Sequence, residues 1–221
     1  MLHDPASAGL DARFKLVTSS VEVGEQAFVL IHPRSADDLL DEADDNDDRL
    51  PYWAEIWPSA RVLSGRLLRE RGAGQRLLEL GCGVGLVALA AARAGFSVVA
   101  TDYYHEALEF TRVNAERNGL THIRTRLVDW RQLPRDLGSY HVVAGSDILY
   151  ERANAALVID TLRATLAPGG LGLVTDPGRR VATCFPELCQ QHGLSAQITE
   201  RVEMIDGTSK PTVVLYEVRR Q

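Results

Sequence analysis

The chain is poor in the features that mark membrane, secreted and disulfide-bonded proteins. It has 221 residues, 45% of them hydrophobic, but no run approaches the roughly 18 apolar residues of a membrane span. The first residues, MLHDPASAGLDARF, lack the basic start and apolar core of a signal peptide. The three cysteines, Cys82, Cys184 and Cys189, do not have metal-ligand spacing. We therefore expect a soluble, cytoplasmic globular protein with no metal and no disulfide frame.

Basic residues are also not in excess. The net charge is −6, but residues 37–48, DDLLDEADDNDD, hold eight of the 30 acids, so the remainder, with all 24 Lys and Arg, is close to neutral. The sequence lacks the basic stripe that nucleic-acid-binding proteins normally show, so a nucleic-acid partner is not expected. The acidic run is either a solvated loop or a docking surface for a basic, lysine-bearing partner, and the sequence leaves both open.

A glycine-rich turn is the most informative stretch. In RLLELGCGVGL, residues 76–86, a short apolar run typical of a buried strand is followed by Gly81, Gly83 and Gly85, and helical periodicity begins at Leu86. Glycines let the chain turn tightly and bring a ligand against the bare amides of a helix N-terminus. The pattern predicts a nucleotide-like ligand.

The ligand is not expected to be a dinucleotide. The fingerprint G-x-G-x-x-G requires its third glycine at position 86, where this chain has Leu86. Glu79, two residues before the first glycine, would repel a pyrophosphate but suits a cationic amino group. An NAD-dependent oxidoreductase is therefore the least favoured alternative.

The same residues resemble the class I S-adenosylmethionine (SAM) dependent methyltransferases, whose first motif is E/D-x-G-x-G-x-G, here Glu79 to Gly85. The resemblance implies SAM as cofactor, held at its methionine part by Glu79 and the glycines. It also implies an α/β, Rossmann-like fold: a seven-stranded sheet with helices on both faces and an antiparallel last strand pair. The remaining residues of interest follow predicted strands of that sheet.

Two acids follow the second and third predicted strands. Asp102 ends the strand 97–101, where Rossmann-like folds bind ribose hydroxyls, although it could also cap the next helix. Asp129 and Trp130 follow the strand 123–128; an acid can accept from the adenine amino group and an aromatic ring can cover the base. The resemblance places adenine contacts here, with Asp129 favoured over Trp130; without it, Asp129 is equally well an ordinary turn residue.

Asp147 and Tyr150 follow the fourth predicted strand, 142–145. Ligands of open α/β sheets lie beyond the carboxyl ends of the strands, so both side chains should face the reaction site. The segment Asp147 to Glu151, D-I-L-Y-E, resembles the form found in protein lysine methyltransferases, and we predict that Asp147 and Tyr150 hold the acceptor amine. The alternative is structural, with Asp147 bonded to backbone amides and Tyr150 packed.

Two tryptophans precede the glycine turn. Trp53 and Trp57 lie in PYWAEIWP, before a helix that Ser59 can cap. The pattern P-x-W-x-x-x-W-P resembles the signature of methyltransferase family 16, which includes lysine methyltransferases acting on the electron transfer flavoprotein β-subunit. The resemblance implies that the segment closes over SAM. Composition alone supports packing of the N-terminal part onto the sheet equally well.

These observations give one predicted organisation and function. Residues 1–50 form a small β appendage and the acidic loop, and residues 51–221 form the methyltransferase domain, in which a helix that starts at Asn154 is ended by Pro168-Gly169-Gly170. We expect a monomer that methylates a lysine side chain of a protein and does not bind membranes. A small-molecule or RNA N-methyltransferase and a non-catalytic SAM-binding protein remain the alternatives.

Overall fold

The computed structural model describes residues 8–36, 39, 51–205 and 210–221. Two regions considered above lie outside the described residues. The acidic run 37–48 does so apart from Leu39, and so does the predicted loop around Asp206 and Gly207.

A seven-stranded mixed sheet forms the centre of the structure. Its strands run in the order β5-β4-β3-β6-β7-β9-β8. The first five in this order are mutually parallel, and β9 is antiparallel to both β7 and β8. This arrangement confirms the predicted fold. The strands are β3 Arg76–Leu80, β4 Ser97–Asp102, β5 Arg124–Leu127, β6 Tyr140–Ser146, β7 Leu166–Asp176, β8 Leu194–Glu203 and β9 Thr212–Arg220.

Helices cover both faces of this sheet. Successive residues of a strand point to opposite faces, and accordingly Leu77 and Leu78 of β3 belong to two separate apolar clusters. None of the helices in the described part of the chain is long and apolar enough to cross a membrane. The helices are α1 Ala8–Asp11, α2 Pro58–Leu68, α3 Leu86–Arg93, α4 His105–Arg117, α5 Arg152–Thr165 and α6 Phe185–Gln191, with 3-10 turns at Tyr52–Ala54, Trp130–Gln132 and Arg180–Cys184.

Two local predictions were wrong. The helix predicted to end at Pro168 ends earlier, at Thr165, because Leu166 is already extended and pairs with Tyr140 of the neighbouring strand. Ser59 does not cap α2; the helix begins one residue earlier at Pro58, with Trp57 in the cap position. A proline at the first helical position has a preset φ and needs no N–H partner, so it starts the helix in place of a side-chain cap.

An antiparallel hairpin, β1 Leu16–Val23 and β2 Gln26–Pro33, precedes the sheet, as the sequence predicted. The buried side chain of Asn114 helps to attach it to the rest of the fold. Asn114 of α4 accepts from the Ile31 amide at 2.7 Å and donates to the carbonyls of Ile31 at 2.9 Å and Val84 at 2.8 Å. A single amide therefore connects the hairpin, α4 and the glycine turn.

We expect Asn114→Ala to lower the free energy of unfolding by about 2 to 4 kcal/mol, because the substitution leaves buried backbone groups without partners. Urea unfolding followed by circular dichroism measures this loss. The matched control is Asn118→Ala, one turn later, which removes a similar pair of bonds to Val29 at a more exposed position. Equal losses in the two variants would contradict the role given to Asn114.

Candidate active site

A cavity of about 530 Å³ lies beyond the carboxyl ends of β3, β4, β5 and β6. Its size falls within the usual range for small-molecule sites. Nine residues singled out from the sequence line it: Trp53, Trp57, Gly81, Gly83, Asp102, Asp129, Trp130, Asp147 and Tyr150. The fold therefore brings together side chains that are separated by almost 100 positions in the chain.

The glycine turn presents bare backbone to the cavity at Gly81 and Gly83. Gly83 has a φ of +51°, and a Cβ built there would lie 2.9 Å from the carbonyl oxygen of Trp53. At Gly81, with a φ of +68°, a Cβ would lie 3.2 Å from Ile148 and 3.8 Å from the Trp130 ring. The positions need glycine both for backbone conformation and for space.

We expect Gly83→Ala to weaken SAM binding by about tenfold or more, because the added methyl meets backbone that cannot move away freely. Calorimetric titration with SAM measures the change. Gly119→Ala is the control: its φ is +68°, yet nothing lies within 4 Å of the added Cβ. An affinity loss of the same size in both variants would show that backbone strain alone is responsible.

Asp102 fixes the turn from the neighbouring strand. Its Oδ2 accepts from the amide of Gly83 at 2.9 Å, and its Oδ1 accepts from the amide of Tyr104 at 3.0 Å. Burial raises the pKa of the Asp102 carboxyl above its ordinary value, although the backbone amides act in the opposite direction. The helix α4 has Tyr104, not Asp102, in its cap position.

Glu79 and Gly85 lie behind the cavity wall instead of lining it. Burial raises the pKa of the Glu79 carboxyl well above its ordinary value, and the nearby Asp102 acts in the same direction. Its Oε2 has no hydrogen-bond partner among the described residues. Gly85, with a φ of +96°, lies against Thr111, 2.9 Å from where a Cβ would be. Both residues are in position to shape the turn.

A salt bridge occupies the part of the cavity after β5. Arg131 binds Asp129 through its guanidinium at 2.8 to 3.1 Å, and its amide donates to the same carboxylate at 2.9 Å. Hydrogen bonding to Arg131 lowers the pKa of Asp129. The guanidinium also lies 5.0 Å from the ring centre of Tyr103. Trp130, between Asp129 and Arg131 in the chain, lies beside Gly81, where a Cβ would be 3.8 Å from its ring.

The two tryptophans have different surroundings. Trp53 is buried and packs against Phe110 at 5.5 Å and Phe14 at 6.1 Å between ring centres, which agrees with the packing alternative as well as with a place in the cavity wall. Trp57 donates its indole N–H to the carbonyl of Tyr52 at 2.9 Å. Its ring lies 6.1 Å from the Tyr52 ring.

Tyr150 completes an aromatic group at the cavity mouth. Its ring lies 5.6 Å from that of Tyr52, and 40% of its surface is exposed. Burial of the remainder raises the pKa of the Tyr150 phenol, while the Asn154 side chain acts in the opposite direction. Tyr150 is thus neutral at physiological pH and can both donate and accept a hydrogen bond.

Asp147 has an unusual backbone and a charged partner. Its φ is +61°, one of two positive values outside glycine among the described residues. Its carboxylate, 6% exposed, forms an ion pair with Arg179. Arg179 also binds the fully buried Asp176, its amide donating to Oδ1 at 2.6 Å and its guanidinium to Oδ2 at 3.2 Å. The carboxyl ends of the adjacent strands β6 and β7 are therefore connected through one guanidinium.

Four residues around this site were not predicted from the sequence: Tyr52, Asn154, Asp176 and Arg179. Asp176 was recognisable in principle, because it ends a buried strand as Asp102 does. The turn Asp176-Pro177-Gly178, in which Gly178 has a φ of +82°, could then have indicated that Arg179 folds back over the sheet. No comparable signal exists for Asn154, whose side chain lies near the Tyr150 phenol and lines the same cavity.

Comparison with known proteins shows what this geometry is similar to. Residues 77–170 match the methyltransferase domain family. The structure superposes on the 16S rRNA N2 G1207 methyltransferase of T. thermophilus, solved with AdoMet and guanosine, with a TM-score of 0.66 at 16% identity over 93% of this chain and 51% of that one. This chain has the class I methyltransferase fold.

Relatives of this methyltransferase-fold chain differ in their acceptors. The electron transfer flavoprotein beta subunit lysine methyltransferase of Xenopus laevis is 34% identical over 142 residues, 62% of this chain and 57% of that protein. The ubiquinone biosynthesis O-methyltransferase of Vibrio parahaemolyticus is 27% identical over 150 residues, 61% of this chain and 63% of that protein. The chain thus matches little more than half the length of these relatives.

Proposed function

We propose that this chain is a SAM-dependent N-methyltransferase whose acceptor is a lysine side chain of a protein. The observation that carries the proposal is the charge of the cavity. Five carboxylates line it, against one guanidinium, Arg131, which is already paired with Asp129. Such a surface favours a cationic ligand and acceptor and disfavours phosphates. The lining acids are Glu55, Asp102, Asp129, Asp147 and Glu151.

The residues present fit SAM. At Gly81 and Gly83 the cavity wall is bare backbone that a Cβ would obstruct. Asp102 would hold the ribose, and Asp129 with Trp130 the adenine. Trp57 and Trp53 would form the wall at the methionine end, and Glu79 and Gly85 would act by shaping the turn.

Bound SAM supplies an electrophilic methyl group, whose bond to sulfur breaks as a bond to the amine nitrogen forms. The protein must present a neutral amine in line with that bond and exclude water. Removing the proton from a free lysine costs roughly 4 to 5 kcal/mol at pH 7, at 1.36 kcal/mol per pKa unit. Burial among Tyr52, Trp57 and Tyr150 lowers this cost, while Asp147 and Tyr150 orient the nitrogen by hydrogen bonds.

The 34% sequence identity to a lysine methyltransferase supports a lysine side chain as the methyl acceptor. The acidic lining of the cavity favours a protein lysine over RNA as that acceptor. We further propose a cytoplasmic monomer that does not bind membranes or nucleic acid, with residues 1–50 as an appendage to the domain 51–221. The acidic run 37–48 would then dock a basic protein surface. Deleting that run without changing turnover on a protein acceptor would return it to the solvated-loop interpretation.

The test is transfer of radiolabelled methyl from SAM into an extract of cells lacking this gene. Parallel samples are treated with protease or ribonuclease before electrophoresis. The proposal predicts discrete protease-sensitive bands. Label confined to RNA or to small molecules would overturn the protein acceptor but keep the methyltransferase, and no label despite SAM binding would favour a non-catalytic role.

A further inference from the structure

The contact between Arg179 and Asp147 resolves a difficulty in the proposed chemistry. Methyl transfer uses the lone pair of the amine, so the acceptor must lose its proton before the reaction. A carboxylate within a few ångströms stabilises the protonated amine and opposes this loss. Asp147, taken alone, would therefore bind a lysine well and activate it poorly.

The structure provides a countercharge at that position. The Asp147 carboxylate is 6% exposed and lines the cavity, whereas Arg179 pairs with it from behind and is absent from the cavity lining. The Asp176 carboxylate holds Arg179 in place, because it accepts from both the backbone amide and the guanidinium of Arg179. The Pro177-Gly178 turn that leads to Arg179 is closely packed: a Cβ at Gly178 would lie 3.1 Å from the carbonyl oxygen of Thr212.

We propose that Arg179 is a positioning residue for methyl transfer: by pairing with Asp147 it offsets the carboxylate charge, so that the acceptor amine is held by a hydrogen bond and still loses its proton. This inference rests on the proposed function. Arg179 does not touch the acceptor and acts only through Asp147. The proton leaves to water before transfer, and no further reactant is needed.

Other groups around the amine position act on it in the wild type and in every Arg179 variant alike. Their effects on the pKa of the amine therefore cancel in the ratio of the variant rate to the wild-type rate. The charged groups across the cavity are Glu55, Asp102, Glu151 and the mutually paired Asp129 and Arg131, and the titratable groups are Tyr52, Tyr103, Tyr104, Tyr150 and the Cys82 thiol. Behind Asp147 stand Asp176 and Arg179.

The first test is the pH dependence of Arg179→Gln. Wild type and variant methylate the same gene-deleted extract at a series of pH values, and the ratio of their rates is taken at each pH. We expect the ratio to be about one tenth near pH 7 and to approach one near pH 10, because one pKa unit in the amine is a tenfold change in its neutral fraction. Arg179→Lys, which keeps the charge, should follow the wild type, and so should Arg163→Gln, an exposed control.

The second test measures affinity for a cation, which should rise in Arg179→Gln although the methylation rate near pH 7 falls. n-Butylammonium, a mimic of the protonated lysine side chain, is titrated by NMR into protein saturated with S-adenosylhomocysteine. Arg179→Gln should bind it about tenfold more tightly, since an unpaired carboxylate favours the cation. General damage to the site would weaken binding and catalysis together. If Arg179→Gln does not fold, Asp176→Asn is tested instead. Arg179 would then be left to pair with Asp147, so the rate ratio near pH 7 should rise above one and n-butylammonium should bind more weakly.

The outcomes separate the two proposals. If the wild type labels no protein in the extract, the proposed function fails and the role of Arg179 fails with it. If the wild type is active but the rate ratio is the same at every pH, the proposed function stands and the role of Arg179 is overturned. Weaker n-butylammonium binding by Arg179→Gln would also overturn it.

Discussion

Asp147→Asn is expected to lower the rate of methyl transfer by about 100-fold or more while changing SAM affinity less than threefold, because a positioned polar group that acts on the reacting atoms contributes about this much. Asparagine tolerates the φ of +61° at this position, so the substitution changes the charge and leaves the backbone in place. Alanine at this position would strain the backbone as well as remove the carboxylate, so the two effects on the rate could not be separated.

The physical reason lies in what the amide places in the site. The Asn side chain offers one acceptor oxygen where Asp offers two, and its NH₂ donors would face Arg179, itself only a donor. The acceptor amine loses its orientation, and the guanidinium retains only Asp176 as a partner.

The measurement is the initial rate of label transfer at saturating SAM, with SAM affinity determined separately by calorimetry. Asp160→Asn on α5 is the matched control, since its side chain is 56% exposed and does not line the cavity. The control should keep at least half the wild-type rate. A rate for Asp147→Asn within threefold of wild type would remove Asp147 from the transfer site and support its structural interpretation.

Asp102→Ala should weaken SAM binding by about 100-fold, equivalent to about 2.7 kcal/mol. Two losses combine. The ribose hydroxyls lose their proposed charged acceptor, and hydrogen bonds to charged groups contribute roughly 1.5 to 3 kcal/mol each. The amides of Gly83 and Tyr104 also lose their partner, so the turn no longer has a fixed conformation.

Calorimetric titration with SAM tests this expectation, and thermal unfolding of the ligand-free variant separates binding from folding. Asp136→Ala is the control: that side chain is 82% exposed and pairs only with Arg126 among the described residues. The account predicts normal SAM affinity for the control. An Asp102→Ala variant that binds SAM as tightly as the wild type would mean that Asp102 serves the turn alone.

The sequence was sufficient for features that depend on local pattern. Short apolar runs typical of buried strands located the parallel strands, and the rule that ligands lie beyond the carboxyl ends of such strands selected Asp102 and Asp147. Gly81 and Gly83 were also identified from local pattern, because a positive φ next to a ligand site favours glycine, which is visible in the sequence. These residues line one cavity because the sheet aligns its strand ends.

Features that depend on distant contacts were not predictable. Pairing of Arg179 with Asp147 requires β6 and β7 to be neighbours and the turn after β7 to fold back, which local pattern does not specify. Trp53 and Trp57 are equivalent in the motif, yet only Trp53 packs against Phe14 of the N-terminal segment. Ser59 satisfied the composition of a helix cap, but Pro58 began the helix first.

The central claim is that methyl groups from SAM reach lysine nitrogen in a protein, and amino-acid analysis of the labelled product tests it most directly. The labelled band from the gene-deleted extract is hydrolysed in acid, and the radioactive amino acid is identified by chromatography against methylated standards. The account predicts label in ε-N-methylated lysine, and an initial rate of labelling about 100-fold lower when the Asp147→Asn variant replaces the wild type. Label in methylarginine, in methylhistidine or in a base-labile ester would contradict it.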